Sequence, residues 1–193
     1  MHEEWAALLS DRVPDCEAKV VFGKAGDKSI FVASPSLHRV CTLLFSHEDF
    51  DFHVLQLITG HDYLASEETK DTPAQRARIE VSYLLTSFRK NHDLILKVEL
   101  PRENPTLDSV CDLWASANFQ ERECFDMVGV RFENHPDLRR ILCPDDWEGY
   151  PLRRDYEVQK SWHGMEVEPE HKMNLPEREF EKRQKEMAAK HGV

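Results

Sequence analysis

Apolar residues recur with two different periods along the first hundred positions, and the switches between them mark the elements. Trp5, Leu8, Leu9 and Val13 have helical spacing, and Pro14 ends that helix. Residues 19–24 and 28–34 are β-branched and aromatic runs joined around Gly26-Asp27, which predicts a hairpin. Pro35 opens a helix whose stripe is Leu37, Val40, Cys41, Leu44 and Phe45. A strand is expected over 50–58, ending at Thr59-Gly60, and then a polar loop over 65–77. Ile79, Val81, Tyr83 and Leu85 alternate with polar residues, as do Leu94, Leu96, Val98 and Leu100 after the turn at Asn91-His92-Asp93. Alternation of this kind is the period of a strand with one wet face. Strands joined by short connections favour antiparallel pairing. The fold class expected is α+β: a two-layer, mainly antiparallel sheet with helices on one side.

Beyond Pro101 the pattern changes. Asp108 or Ser109 is placed to cap a helix that buries Val110, Leu113, Trp114 and Ala117, then Glu121, Cys124 or Phe125, and Val128, with Gly129 as its stop. Glu121 then lies on an apolar face, and a buried carboxylate needs a partner. Arg122, Arg139 and Arg140 are the candidates, and Arg122 can also pair with Asp126 at i,i+4. From Glu121 to Tyr156 charged and large apolar residues interleave instead of separating onto two faces, with Pro136, Pro144, Gly149 and Pro151 between them. This is expected to be an extended, turn-rich segment. From Val158 the chain is charged and thinly apolar. Pro176 can start a last helix with i,i+4 pairs such as Glu179–Arg183, either a solvated helix or an arm that orders on a partner. The division expected is 1–103 as an α+β scaffold, 104–157 as signature helix and partner-docking segment, and 158–193 as a charged C-terminal arm.

Composition narrows the function. A formal net charge of −11 over 193 residues argues against a general nucleic-acid binder, which needs a basic face. The five cysteines, Cys16, Cys41, Cys111, Cys124 and Cys143, include no Cys-x-x-Cys pair. A private zinc or iron–sulfur site is therefore not expected, and the thiols read as reduced, in a cytosolic setting. The N-terminus lacks the basic start and apolar core of an export signal, and no apolar run approaches the roughly 20 residues of a membrane span.

Three groups in the dense segment carry chemistry worth weighing. Glu121, Asp126 and His135 are the residue types of an acid/base catalyst. The alternative is that Glu121, Glu123 and Asp126 share one helix with Arg122 as an ion network, and that His135, before Pro136, is a turn residue with no second ligand at zinc spacing. Arg139-Arg140 and Arg153-Arg154 flank Asp145, Asp146 and Glu148. Mixed charge of that kind fits a protein partner better than nucleic acid or lipid. Trp147, Tyr150 and Tyr156 are anchor types at interfaces, with burial in the core as the alternative.

The run Glu121-Arg122-Glu123, Asp126, Gly129, Phe132, His135-Pro136 and residues 138–142 (LRRIL) is long and leaves few free choices. With Asp112-Leu113-Trp114 before it and Pro144, Asp146-Trp147, Gly149, Pro151-Leu152-Arg153 and Asp155-Tyr156 after it, it resembles the NuoC family, subunits of the proton-pumping NADH:quinone oxidoreductase, respiratory complex I. Departures are small: residues 117–120 where many relatives carry a second Trp and a His, Cys143 in place of Met or Leu, and Arg154 in place of Lys. The resemblance implies a non-catalytic structural subunit of the hydrophilic arm, peripheral on the cytoplasmic side of the inner (plasma) membrane. It implies no iron–sulfur cluster or flavin in this chain, since neighbouring subunits hold the clusters, flavin, NADH and quinone. Its chief partner would be the large hydrophilic-arm subunit to which it is fused in some bacteria, with cluster-bearing neighbours around it, and no homo-oligomer is signalled. The partner interface would draw on Glu121, Arg122, Glu123, Asp126, His135, Arg139, Arg140, Trp147, Tyr150, Arg153, Arg154, Asp155 and Tyr156. Related membrane-bound hydrogenases and F420-type dehydrogenases carry equivalent subunits, and a stand-alone acid/base enzyme is the remaining rival.

Overall fold

The structure is a computed structural model that describes residues 2–23, 27–66 and 76–167. It forms two compact units, residues 1–156 and 157–193. In the first, α1 (His2–Arg12) leads to the hairpin β1 (Lys19–Phe22) and β2 (Lys28–Val32), then a short 3₁₀ turn (Ser34–Ser36) and α2 (Leu37–Ser46). The strands β3 (Val54–Tyr63), β4 (Arg78–Ser87) and β5 (His92–Pro101) follow, then β6 (Thr106–Asp108), α3 (Ala117–Val128) and β7 (Arg131–Glu133). The second unit contains a two-stranded hairpin, β8 (Ser161–Trp162) with β9 (Met165–Glu166). The last helix expected from Pro176 lies outside the described residues.

The main sheet has the order β1-β2-β5-β4-β3 and is antiparallel except where β5 inserts beside β2 in parallel. The expected α+β class therefore stands, with one parallel pair that the connections did not announce. Register aligns Ile30 with Leu96, Leu96 with Tyr83, and Tyr83 with Ile58, so one face is continuously apolar. Leu9, Leu37, Val40, Leu44 and Trp114 are buried in the core on this face. Trp5 meets Phe52 and His92 edge-on, at 5.6 and 4.8 Å. The opposite face is polar: Lys97 pairs with Glu80 at 2.8 Å, and Arg78 with Glu99 at 2.8 Å. Burying one face and wetting the other is what period-2 alternation dictates.

Strand β3 begins at Val54 and not at Phe50, and β1 and β2 end two residues short of the expected runs; two further differences bear on the site. Strand β3 runs on through Gly60 to Tyr63 because Gly60 is an approach point and no stop: a Cβ there would meet Val128 of α3 at 3.3 Å. Helix α3 begins only at Ala117; Val110–Ser116 forms turns, and the expected connection before it holds β6. The reason is the edge of β3. Ser116 Oγ donates to Leu55 O at 3.2 Å, Gln120 Nε2 donates to Gln56 O at 3.4 Å, and the Gln120 side-chain carbonyl accepts from the Ile58 N–H. Cys124 and Val128 continue this four-residue spacing onto Ile58 and Gly60. An unpaired sheet edge invites aggregation, and this helix covers it. The packing also removes the boundary expected after residue 103, since everything up to Tyr156 is one unit.

Candidate functional site

The turn-rich part of the signature begins where α3 ends. Gly129 adopts φ 84°, and its N–H reaches the carbonyls of Cys124 and Phe125, closing the helix with a left-handed residue. A Cβ on Gly129 would lie 2.6 Å from the Tyr150 ring, so both backbone and packing require glycine. The chain then forms β7, turns at Asn134 (φ 61°), and returns over α3 from Asp137 to Tyr156 without α-helix or strand.

A segment with no ladder must satisfy its main-chain groups elsewhere. Here the charged residues do this. Asp126 Oδ2 accepts three consecutive N–H groups, from Ile141, Leu142 and Cys143, at 3.0, 2.7 and 2.9 Å, while its Oδ1 accepts Arg140 Nη1 at 2.7 Å. The other arm of Arg140 donates to the carbonyls of Trp147 and Gly149, both at 3.0 Å. Arg122 donates to the carbonyls of Arg139 and Arg140, at 3.2 and 3.3 Å. Arg153 Nε donates to Val128 O at 2.7 Å, and Leu152 N–H to Met127 O at 2.9 Å. Tyr150 lies beneath two guanidiniums, those of Arg153 at 4.8 Å and Arg140 at 5.6 Å. Trp147 Nε1 donates to the Tyr156 hydroxyl at 3.0 Å.

The far end is fastened by a buried carboxylate from β3. Asp62 accepts Arg102 through both oxygens, at 2.6 and 2.9 Å, and the Arg154 N–H at 2.8 Å; Arg102 also pairs with Asp155. The Arg102 guanidinium holds the Asp62 carboxyl below its usual range against the opposing effect of burial. Burial pushes Asp126 up, but its three backbone donors and Arg140 outweigh it, and it too titrates below the usual carboxylate range.

Glu121 has the opposite environment. It is fully buried, with Val110 N–H on Oε1 at 2.8 Å and the Ser109 hydroxyl on Oε2 at 2.6 Å. The Cys111 thiol lies 3.4 Å from the same oxygen. Among the described residues no arginine reaches it, so the arginine partners expected for Glu121 are replaced by neutral donors. Burial dominates and raises its pKa. The expected Arg122–Asp126 pair is likewise replaced: Asp126 takes Arg140, and Arg122 reaches across to main-chain carbonyls, because each shares the helix with the other but faces a different part of the returning segment.

His135 Nδ1 accepts the Asp137 N–H at 3.0 Å, which places the ring proton on Nε2, 3.2 Å from Asn118 O. Ligand atoms of Cys111, Glu121 and His135 lie within 4.8 Å of one another, a grouping that sequence spacing did not suggest. With one ring nitrogen accepting and the other protonated, His135 offers no free lone pair, and both Glu121 oxygens are occupied. The cluster as it stands is a hydrogen-bond network, not a set of open ligands.

Of the thirteen residues expected at an interface, Arg122, Asp126, Arg140, Trp147, Tyr150, Arg153 and Tyr156 are thus engaged within the chain, as are Glu121 and His135. Glu123, Arg139, Arg154 and Asp155 have exposed side chains. Sequence reasoning missed Asp62, Arg102, Ser109 and Gln120. Asp62 and Arg154 are 92 positions apart, and no local pattern links them.

Comparison with known proteins adds the family. Residues 30–161 match the model of the respiratory-chain NADH dehydrogenase 30 Kd subunit. The NuoC protein of the NADH-quinone oxidoreductase of Chloroherpeton thalassium is 45% identical over 106 residues, 55% of this chain and 44% of that protein. Its counterpart in Roseiflexus castenholzii is 42% identical over 130 residues, 67% of this chain and 70% of that one. The chain thus spans less than half of the first relative and about two thirds of the second. A trypsin-resistant fragment (1–134) of Nqo5 is 26% identical, with a TM-score of 0.53, covering 72% of this chain and all of that one. A chain of the membrane-bound sulfane sulfur reductase, an archaeal respiratory membrane complex, shares the fold at 20% identity and a TM-score of 0.61, over 81% of this chain and 85% of that one. By its matched region and its curated relatives, the chain belongs to the family of the 30 Kd subunit of respiratory-chain NADH dehydrogenase, the NuoC family of complex I.

Proposed function

We propose that the chain is a structural subunit of the hydrophilic arm of complex I, which moves electrons from NADH to quinone and couples this to proton translocation. The chain contributes no catalytic residue. It sits beside the large hydrophilic-arm subunit and the cluster-bearing subunits, on the cytoplasmic side of the membrane, held there by its partners. No described helix is long and apolar enough to cross a membrane.

One observation carries the reading. Glu121, Asp126 and His135, the groups an acid/base enzyme would use, are each committed to hydrogen bonds that hold the fold. A general base must reach a substrate proton, and these are occupied by the chain itself. What the segment turns outward is large and apolar beside charge: Leu142 and Leu152 are 62% and 60% exposed, near Arg139 and Arg154 in the sequence. Exposed apolar side chains set among charges suit a protein interface.

The test is purification of the tagged chain from its native membranes in mild detergent. Recovery of a flavin- and iron–sulfur-containing assembly with NADH–quinone reductase activity is the expected result. A nickel-containing partner would keep the structural role and move the chain to a hydrogenase. A partner-free chain would overturn the reading.

A further inference from the structure

Tyr83 lies in the middle of β4, aligned with Ile58 on one side and Leu96 on the other, and is fully buried. Its hydroxyl has no hydrogen-bond partner among the described residues. Buried polar groups in native proteins are nearly always paired, with the chain or with ordered water. The surroundings of this hydroxyl are polar. Ile58, its neighbour on β3, receives Gln120 on its N–H and the Cys124 thiol at 3.9 Å from its carbonyl. Helix α3 therefore meets the sheet next to Tyr83, with Glu121 between those two contacts. The groups whose charge bears on the hydroxyl are Glu121 first, then Cys41, Cys124 and Cys111. The same carboxylate bears on all three thiols.

Two bonding positions in this set are unfilled. Burial pushes the Tyr83 pKa well up, so the hydroxyl keeps a proton to donate. Glu121 Oε1 takes a single donor, the Val110 N–H at 2.8 Å, and a carboxylate oxygen has a second lone pair. Tyrosine needs an acceptor and the carboxylate needs a donor. Water supplies both at once. Access is at hand, because Ser109 and Cys111, which bond the other Glu121 oxygen, also line a cavity of about 710 Å³.

We propose that one internal water molecule is bound between Tyr83 and Glu121, accepting from the Tyr83 hydroxyl and donating to Glu121 Oε1. The site ties the middle of the sheet to α3 without a cation. It gives the buried carboxylate a partner across the layer, and it accounts for tyrosine at a position where phenylalanine would fill the same apolar space.

The experiment exposes the full-length chain to short X-ray pulses, which turn bound water into hydroxyl radicals that oxidise the side chains next to it, and reads the products by mass spectrometry. Tyr83 should be oxidised about tenfold faster than Phe50 and Phe52, which are as fully buried and aromatic. Equal rates at all three would overturn the proposal. Tyr83→Phe supplies a second reading. If the hydroxyl is bonded through water, its removal should lower the melting temperature by about 2–4 °C. An unchanged or raised melting temperature would overturn the proposal, since deleting an unpaired buried hydroxyl relieves a cost. The Glu121 end is read by infrared spectroscopy. The carboxyl band of Glu121, identified by its loss in Glu121→Gln, should shift in Tyr83→Phe. A band that stays in place would overturn the bridge.

Discussion

In the five-stranded sheet, main-chain groups bond to main-chain groups; from Asp137 to Tyr156, many bond to charged side chains instead. The first arrangement needs only an alternating pattern and tolerates change on its wet face. The second depends on a few groups, each serving several partners. Asp126 alone receives three N–H groups and a guanidinium. Two carboxylates five positions apart on α3 sharpen the contrast. Asp126, with a cation, is held ionised, whereas Glu121, with neutral donors, is pushed toward its protonated form.

The largest effect should come from Asp126→Ala. It strands Arg140 and three N–H groups, and breaking a buried pair from one side costs roughly 3–5 kcal/mol. Urea unfolding should show that loss, with proteolysis between 137 and 156 appearing first. A loss no greater than that of an exposed site would mean the segment is held some other way. Gly129→Ala should follow, at about 1–3 kcal/mol, from the strain of a side chain at positive φ and the clash with Tyr150. Adding Tyr150→Ala should recover the clash contribution but not the φ contribution, as a double-mutant cycle would resolve.

The pH dependence has two limbs with opposite signs. Asp126 and Asp62 have folded pKa values below the unfolded reference of about 3.9, so their stabilisation is complete above it and is lost as pH falls through the folded values. Glu121 is raised, so stability falls as pH rises from about 4.3 through its folded value. Asp126→Asn should flatten the acid limb of a melting-temperature profile, and Glu121→Gln the other. The smallest effect belongs to Arg139, whose pair with Asp137 lies in solvent. Arg139→Ala should leave the isolated chain's melting temperature unchanged and reduce recovery of the assembled complex. Arg153→Ala should impair both, because Arg153 holds Val128.

The fold was largely legible because its core follows periods of 2 and 3.6 residues. Trp5, Leu9, Val40, Leu44, Tyr83 and Leu96 are all buried as spacing required. The start of α3 was not, since Val110, Leu113 and Trp114 keep helical spacing while sitting in turns; contact with the β3 edge, 61 positions from Ser116, sets the true start. At the site, composition marked the segment that folds back over α3, and Gly129 as its pivot. Pairings were misassigned because i,i+4 geometry favours neighbours on one helix, whereas Arg122 holds main-chain carbonyls of the segment returning over it and Arg140 comes back to Asp126 from that segment. Nothing local could reveal that Asp62 closes the far end.

On this reading the segment is folded by its own charges and docks by what it leaves outside. Hydroxyl-radical footprinting of Leu142 and Leu152, in the isolated chain and in the purified complex, separates the two roles. Both leucines should oxidise readily in the isolated chain and be strongly protected in the complex. Equal oxidation of both in an intact complex would contradict docking through this face.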